Sequence, residues 1–436
     1  MREMKDSLIP WVGLIPADWK LKRGKFTLQL LNRPVEESDD VITCFRDGEV
    51  TLRQNRRSEG YTVSLKEIGY QGIEPGDLVI HGMDGFAGAI GISDSRGKSS
   101  PVLVVCDSNE NKKYLMYYLR SMAYNDVFTA LATGIRVRSC DLRWNKIAEL
   151  PYILPSLDEQ QDIVNAIETN VEQVNKLIDI VQEQIEKLKT HKKSVITDLV
   201  VRGLSKTSEL KNTDITWIGK IPKNWSAIRL KHLYDYSNGA PVKVGPFGSA
   251  LPSSEIVEDG VWVYNQRTVL DCNFETNNTF VSEAKADELS GFSVEPKDIL
   301  ITTRGSIGKT AIVPENAPKG ILHPCVIRFR IDESKMNSEL LSLIFNETDI
   351  ALGQILDMSK STTIEVLYSY SLKEIWIPCP PLYEQADILN SVKTIIKEYD
   401  SLISIKKEKI EKLEQYKKSL IYEYVTGKKE VKQHVV

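Results

Sequence analysis

No stretch of this 436-residue chain approaches the roughly 18–20 uninterrupted apolar residues needed to span a bilayer. The amino terminus (Met1-Arg2-Glu3-Met4-Lys5-Asp6) lacks the apolar core of a signal peptide. Both absences point to a cytoplasmic protein without membrane contact. Cysteine is scarce: six thiols (Cys44, Cys106, Cys140, Cys272, Cys325, Cys379) lie far apart with no C-x-x-C pair, and five histidines are equally scattered. A zinc site would need ligands gathered by tertiary folding alone, so no metal is assigned, and the thiols are expected to be reduced and mostly buried. A dominant charge is missing too. The formal net charge is −4, with acids and bases nearly balanced in each half. A protein held to nucleic acid by the phosphate field alone would be more basic. If this one binds DNA, local patches or a larger assembly must supply the charge.

Catalytic signatures are also absent. No Asn/Asp-Pro-Pro-aromatic tetrapeptide of the adenine-methyltransferase kind occurs, and no glycine-rich dinucleotide fingerprint is followed by a suitably placed acid. Gly308-Lys309-Thr310 looks like the tail of a phosphate-binding loop, but the glycine required five residues earlier is Thr303. A tight turn with Arg304 and Lys309 projecting beside it is the better reading. Asp-Gly and Gly-Asp pairs such as Asp47-Gly48 and Gly76-Asp77 read as turns. The chain is therefore expected not to be an enzyme and to carry no cofactor of its own.

What the chain does contain is itself, twice. Trp11-Val12-Gly13-Leu14-Ile15-Pro16 with Trp19 returns as Trp217-Ile218-Gly219-Lys220-Ile221-Pro222 with Trp225. Glu74-Pro75-Gly76-Asp77-Leu78-Val79-Ile80 returns as Glu295-Pro296-Lys297-Asp298-Ile299-Leu300-Ile301, and Pro155-Ser156-Leu157-Asp158-Glu159-Gln160 as Pro380-Pro381-Leu382-Tyr383-Glu384-Gln385. Ile185-Glu186-Lys187-Leu188 with Lys192-Lys193-Ser194 returns as Ile410-Glu411-Lys412-Leu413 with Lys417-Lys418-Ser419. The offset between copies grows inside the globular segments and stays constant along the closing helix. A duplicated chain tends to have a two-fold partner, and DNA is the commonest partner with local two-fold geometry.

Each closing helix carries an apolar seam with alternating three- and four-residue spacing. The first runs Ile163, Ile167, Val171, Val174, Ile178, Val181, Ile185, Leu188, then Val195 and Leu199; the second runs Ile388, Val392, Ile396, Tyr399, Ile403, Ile410, Leu413, then Leu420 and Tyr424, with Lys406 in the place of Val181. About 43 residues at ~1.5 Å each give a rod of ~65 Å whose stripe needs a mate. The short linker at 202–214 selects an antiparallel partner, the other copy. The repeated Glu-Lys and Lys-Lys-Ser residues then become a candidate docking surface displayed twice. The expected fold is α+β: two pseudo-two-fold-related mixed α/β heads separated by an antiparallel two-helix coiled coil. Its divisions are head 1 at 1–157, helix 1 and linker at 158–204, head 2 at 205–382, and helix 2 with the tail at 383–436. Short strands are expected over 76–106 and 298–331, with a helix after each at Tyr114–Ala123 and Ser338–Asn346.

The W-[VI]-G-x-I-P-x-x-W entry, the strand-turn Asp298-Ile299-Leu300-Ile301…Arg304-Gly305-Ser306-Ile307-Gly308-Lys309, the Pro-Pro-Leu-x-Glu-Gln helix entry and the closing Lys418-Ser419-Leu420-Ile421…Val425-Thr426-Gly427-Lys428 together resemble the specificity (S) subunit of type I restriction–modification systems. The resemblance covers the whole chain in the family's order. It implies a non-catalytic reader of double-stranded DNA whose heads are target recognition domains, each reading half of a bipartite site. It implies helices that set the spacer and bind two methyltransferase (M) subunits, with restriction (R) subunits joining through them. S-adenosylmethionine and ATP would belong to those partners. The first copy departs at Ser156, where the second has Pro381, and at Asp84-Gly85-Phe86-Ala87-Gly88, which lacks the flanking Arg and Lys.

For DNA contact, Arg53-Gln54-Asn55-Arg56-Arg57 offers donors matched to guanine and adenine edges. Alternation puts Arg136 and Arg138 on one strand face, and Ser359-Lys360-Ser361-Thr362-Thr363 is their polar counterpart. Gln266, Arg267, Arg304 and Lys309 are the candidates in the second head, and Lys360 and Thr362 complete the set. Trp11, Trp19, Trp217 and Trp225 are read as structural pins for the helix ends. The alternative is a coiled-coil scaffold whose heads hold proteins; divergent heads on repeated joints favour the DNA reader.

Overall fold

The computed structural model describes residues 2–56, 67–130, 142–205, 207–237, 239–276, 279–359 and 366–431. The chain packs as two units, Met1–Gln182 with Lys407–Val436, and Glu183–Lys406. Two long helices, Leu157–Arg202 and Leu382–Val425, each contribute one end to each unit. Among the described residues no helix is long and apolar enough to cross a membrane.

The first unit opens with the antiparallel hairpin Met4–Asp6/Leu14–Pro16, and strand Lys20–Arg23 pairs with Pro151–Leu154 just before the first long helix. Its central sheet is antiparallel, in the order Gln29–Leu30, Leu103–Asp107, Leu78–His81, Ile90–Ile92. Helix Lys112–Tyr124 starts where the Asn111 side chain accepts the Lys113 and Tyr114 N–H groups, satisfying two donors that a helix start leaves free. It buries Tyr114, Leu115, Tyr118, Leu119 and Met122. The second unit repeats the plan. Hairpin Leu210–Asn212/Lys220–Pro222 precedes strand Ser226–Arg229, which pairs with Trp376–Cys379. The sheet runs Val242–Val244, Val326–Phe329, Ile299–Thr302, Thr310–Ile312, and helix Ser338–Glu347 is capped by Asn337. Both helices fall where the apolar spacing placed them.

The units differ beside that sheet. The first has two-stranded ribbons, Ile42–Cys44/Val50–Leu52 and Gln71–Ile73/Gly97–Ser99. The second has another four-stranded sheet, containing the parallel pair Val261–Tyr264 and Gly320–Leu322. This is where the growing sequence offset accumulates. The repeated Glu-Pro-x-Asp turn is common to both: Asp77 accepts the Glu74 N–H at 2.8 Å, and Asp298 the Glu295 N–H at 2.7 Å. Each carboxylate is buried and is matched by guanidinium, from Arg33 in one unit and from Arg328 and Arg330 in the other. Cys44, Cys106 and Cys379 are buried, whereas Cys325 is partly exposed and Cys272 exposed. Burial pushes the Cys44 and Cys106 thiols up to about 12, so neither is ionised near neutrality.

Within each unit the long helices pair antiparallel. In the first, Asn170 bonds the Tyr424 hydroxyl at 3.4 Å and Lys417 bonds Asn175 at 3.2 Å. In the second, Lys406 donates to Gln184 at 2.7 Å, His191 and Tyr399 share a hydrogen bond at 2.5 Å, and Lys192 meets Asp400 at 3.1 Å. Ile163, Ile167, Val174, Ile178, Ile185, Ile388, Val392 and Ile403 are buried; Val171, Leu188, Ile396, Tyr399, Ile410 and Leu413 are half-buried. The single stripe expected at the helix ends widens. Ile196 and Val200 are buried while Val195 and Leu199 are half-exposed, and Ile421 and Val425 join Leu420 and Tyr424. Each helix end faces both its mate and a globular body there, which takes two adjacent rows of apolar residues.

Part of the repeated Lys-Lys-Ser set is engaged within its own unit. Lys192 lies between Glu347 and Asp400, Lys193 pairs with Asp349, and the Lys418 ammonium sits 5.3 Å over the Tyr124 ring. These cations tie the helix ends to their own unit.

The joint itself is built twice. Trp19 is 1% exposed and its Nε1 donates to Glu159 at 3.0 Å; Trp225 is also 1% exposed and donates to Glu384 at 2.9 Å. Substituting Trp19→Phe or Trp225→Phe keeps most of the buried ring and removes that donor. Each is expected to cost ~1–3 kcal/mol, read as a lower urea midpoint by circular dichroism; unchanged midpoints in both would show the bond to be dispensable.

Candidate nucleic-acid interface

In the second unit, four loops interlock at one end of the central sheet. Strand Ile299–Thr302 turns through Gly305 and Gly308, both with positive φ, into Thr310–Ile312. Thr302 N–H bonds the Lys309 carbonyl at 3.0 Å and Gly308 N–H bonds the Thr302 carbonyl at 3.0 Å. Because a strand follows, this is a hairpin turn and not the start of a phosphate-binding helix. Thr303 donates from N and Oγ1 to the Cys325 carbonyl, at 3.2 and 3.0 Å. His323 N–H bonds the Tyr264 carbonyl at 3.1 Å, and Gly245 N–H bonds the Val326 carbonyl at 3.0 Å. Gln266 Nε2 donates to the Arg304 carbonyl at 2.7 Å. The backbones of 245, 264–266, 303–305 and 323–326 are thus held together.

On this edge the predicted residues separate. Gln266 and Arg267 begin the helix Gln266–Asp271, and Arg267 is largely exposed, with a 3.1 Å surface pair to Asp271. Such a pair is weak enough to be exchanged for phosphate. Arg304 is exposed. Lys309 does not project beside it as expected. Its ammonium turns inward to the Asn346 carbonyl at 2.8 Å, and burial holds its pKa below the usual lysine value. The exposed rings of Tyr368 and Tyr370 stack 5.2 Å apart, and backbone joins this segment to the same edge through Leu367 N–H and the Thr303 carbonyl at 2.9 Å.

In the first unit, Arg53 donates to Thr43 at 3.3 Å and Asn55 to Thr51 at 2.8 Å, so both lie along the ribbon Ile42–Cys44/Val50–Leu52. Arg56 is committed locally: it lies 4.3 Å over the Phe45 ring and meets Asp47 at 2.7 Å and Glu49 at 2.8 Å. Two carboxylates cancel its field toward an incoming phosphate. Arg57, Arg136, Arg138, Lys360 and Thr362 lie outside the described residues.

Sequence reasoning missed the histidines. His81 Nδ1 accepts the Met83 and Asp84 N–H groups at 3.3 and 3.0 Å, and His323 Nδ1 accepts the Cys325 N–H at 3.1 Å. It also missed Gln160 and Gln385, fully or nearly fully buried. Each accepts the N–H of a body-helix cap residue, Asn111 at 2.9 Å or Asn337 at 2.7 Å, and donates to the proline carbonyl ahead of its own helix. The recurrence of Glu-Gln at both helix entrances was the available signal.

A mixed α/β body with a loop-built edge, joined to paired long helices and present twice, defines the class. Residues 250–415 match the family model described as the type I restriction modification DNA specificity domain. The putative type I restriction enzyme MjaX specificity subunit of Methanocaldococcus jannaschii is 24% identical over 97% of this chain and 96% of its own length. The MjaVIII specificity subunit of the same organism is also 24% identical, over 96% and 94%. A solved chain from work on complex assembly and conformational transition of the type I R-M system shares the fold, with TM-score 0.64, 16% identity, and coverage of 95% of this chain and 99% of that one. Over nearly its whole length the chain is similar to type I restriction–modification specificity subunits, the family its ordered motifs resemble.

Two predictions follow from the edge. Arg304→Ala is expected to weaken binding to target DNA by ~1–3 kcal/mol, whereas Lys309→Met lowers the melting temperature and leaves affinity within about two-fold. Titration calorimetry with thermal melts separates them, and the reverse pattern would reassign Lys309 as the contact. Burial lowers the pKa of both His81 and His323 below the ordinary 6.5. The unfolded chain therefore binds more protons below that value, so this contribution to stability is full above pH 6.5 and is lost as pH falls through the folded values. His323→Asn, which places an acceptor oxygen near Nδ1, is expected to flatten part of that acid loss; melts from pH 8 to 5 that decline identically would exclude His323 as a source.

Proposed function

We propose that this chain is the non-catalytic DNA reader of a type I restriction–modification complex. Each globular body reads one half of a bipartite site on double-stranded DNA. The paired helices set the unspecified gap and carry two methyltransferase subunits, through which restriction subunits join. S-adenosylmethionine and ATP are bound by those partners.

The observation that carries this reading is the contrast between the units. Their joints agree at matched positions, Trp19–Glu159 with Trp225–Glu384 and Gln160 with Gln385, while the strands beside the central sheet pair differently, as two ribbons in one unit and as a single four-stranded sheet in the other. Two constant mounts with two different faces suit a reader of two unlike sequences. A protein scaffold would have no reason to hold the helix register so closely while varying both faces.

Co-expression with the methyltransferase partner, followed by genome-wide mapping of adenine methylation, tests the reading. A bipartite motif with a fixed gap is the expected result; no motif, or an uninterrupted palindrome, would sink it. Inserting four residues into both long helices at matched positions is expected to lengthen the gap and leave both half-sites unchanged.

A further inference from the structure

At the same edge of the second unit, one side chain has no structural employment. Phe247 is 87% exposed, the most exposed large apolar side chain among the described residues. Burying a phenylalanine ring is favourable, so a fold that presents one to water is notable when the backbone holds it there. This backbone is held. Gly245 lies so close to the His323 carbonyl and Pro324 that a Cβ would collide with them. Pro246 is buried, Ala250 N–H closes a turn on the Phe247 carbonyl at 2.8 Å, and Leu251 is buried in the apolar cluster with Val263, Val281 and Ile321. The ring therefore stands at the tip of a loop fixed on both sides.

Its surroundings indicate the occupant. The anchoring residues His323 and Val326 belong to the loop whose Cys325 carbonyl holds Thr303, beside exposed Arg304 and the Gln266–Arg267 start of the short helix. An apolar tip on a loop tied to the edge that also carries guanidinium and carboxamide donors matches a duplex, which offers phosphates and base edges around an apolar stack. The exposed rings on this edge, Phe247 and the stacked pair Tyr368 and Tyr370, stand among polar donors, and planar rings beside cations suit stacking on bases.

We propose that Phe247 is a specificity-determining wedge that enters the duplex at one base step of the half-site read by this unit and partly unstacks it. Insertion of an apolar side chain costs least at flexible pyrimidine–purine steps, so the wedge reads sequence through deformability. Arg304 and Arg267 hold the flanking backbone. This rests on the DNA-reading assignment above and adds to it a residue, a mode of contact and a preferred step.

The test uses the full chain assembled with its methyltransferase partner and synthetic duplexes of the mapped site, with 2-aminopurine placed at each step of both half-sites in turn. For the unaltered chain, fluorescence is expected to rise at one step of one half-site. Phe247→Ala is expected to abolish that rise and weaken binding ~10-fold, with melting temperature and the other half-site unchanged, while Phe247→Trp retains the rise. Weaker binding with the fluorescence rise intact would make Phe247 a surface contact and overturn the wedge. Loss of methyltransferase co-purification in Phe247→Ala would overturn it in favour of a protein interface. Unchanged affinity and fluorescence would overturn it while leaving the DNA-reader assignment standing. Failure of that assignment shows separately, as the absence of any bipartite methylation motif for the unaltered complex.

Discussion

The structure depends on a buried indole that closes onto a helix-start carboxylate. A carboxylate in the first turn of a helix is favoured by the unpaired N–H groups there, but taking it partly out of water requires donors. Trp19 supplies one to Glu159 with Arg2 beside it, and Trp225 supplies one to Glu384 together with Asn224. The same indoles meet the other helix from its far end. Gly203, left-handed after the first long helix, lies against Trp225, and Gly427, left-handed after the second, lies against Trp19. A side chain at Gly203 would strike the Trp225 ring, one at Gly427 would strike Pro16 beside Trp19, and either would strain the helix stop. Each unit thus clamps the start of one long helix and the end of the other.

That clamp explains why the helices match in length, 46 and 44 residues, while the bodies differ. Within each unit the register of the paired helices is marked by a polar contact, Lys417 on Asn175 in one and Lys192 on Asp400 in the other. Bodies suffer no such constraint. Many cations that look available in the sequence are consumed internally: Lys192 and Lys193 at the helix end, Lys309 on a carbonyl, Arg56 between two acids. Among the described candidates, Arg267 and Arg304 keep exposed guanidinium groups at the loop edge.

Repetition made the joints and rods legible, because a residue kept at matched positions in two otherwise divergent copies must serve the part they share. The tryptophans, the Glu-Gln helix entry and the apolar stripe were all visible this way. Gln160 was seen as part of a motif, but its role needs Asn111, which only folding brings near. The stripe left out Ile196 and Val200 because spacing reports one buried face, and a helix gripped from two sides has a wider one. The edge was least legible. Lys309 and Arg304 flank one turn, and nothing local tells which points inward; the distinction lies in Asn346, on a helix more than thirty residues away. Phe247 escaped notice because a lone aromatic between glycines reads equally well as a core residue.

The apolar clusters show why reading faces can change without loss of the fold. The main core of the second unit joins Trp225, Ile196, Val200, Ile388 and the helix residues Leu340 and Ile344. The loop-bearing sheet is packed by two separate clusters, one around Tyr264, Leu300 and Leu322 and one around Leu251, Val263 and Ile321. In the first unit a separate cluster around Ile42, Val79 and Val105 underlies the ribbons. Substitutions in a satellite cluster alter the loops above it, while the helix clamp keeps its own contacts. The central sheet mediates between the two, since Ile299 and Ile301 face the main core and Leu300 the satellite. Alternation along a single strand thereby gives one face to the helix mount and the other to the satellite cluster under the loops, and Asp298 at that strand's entrance, bound by Arg328 in the neighbouring strand and Arg330 just beyond it, holds the register between them.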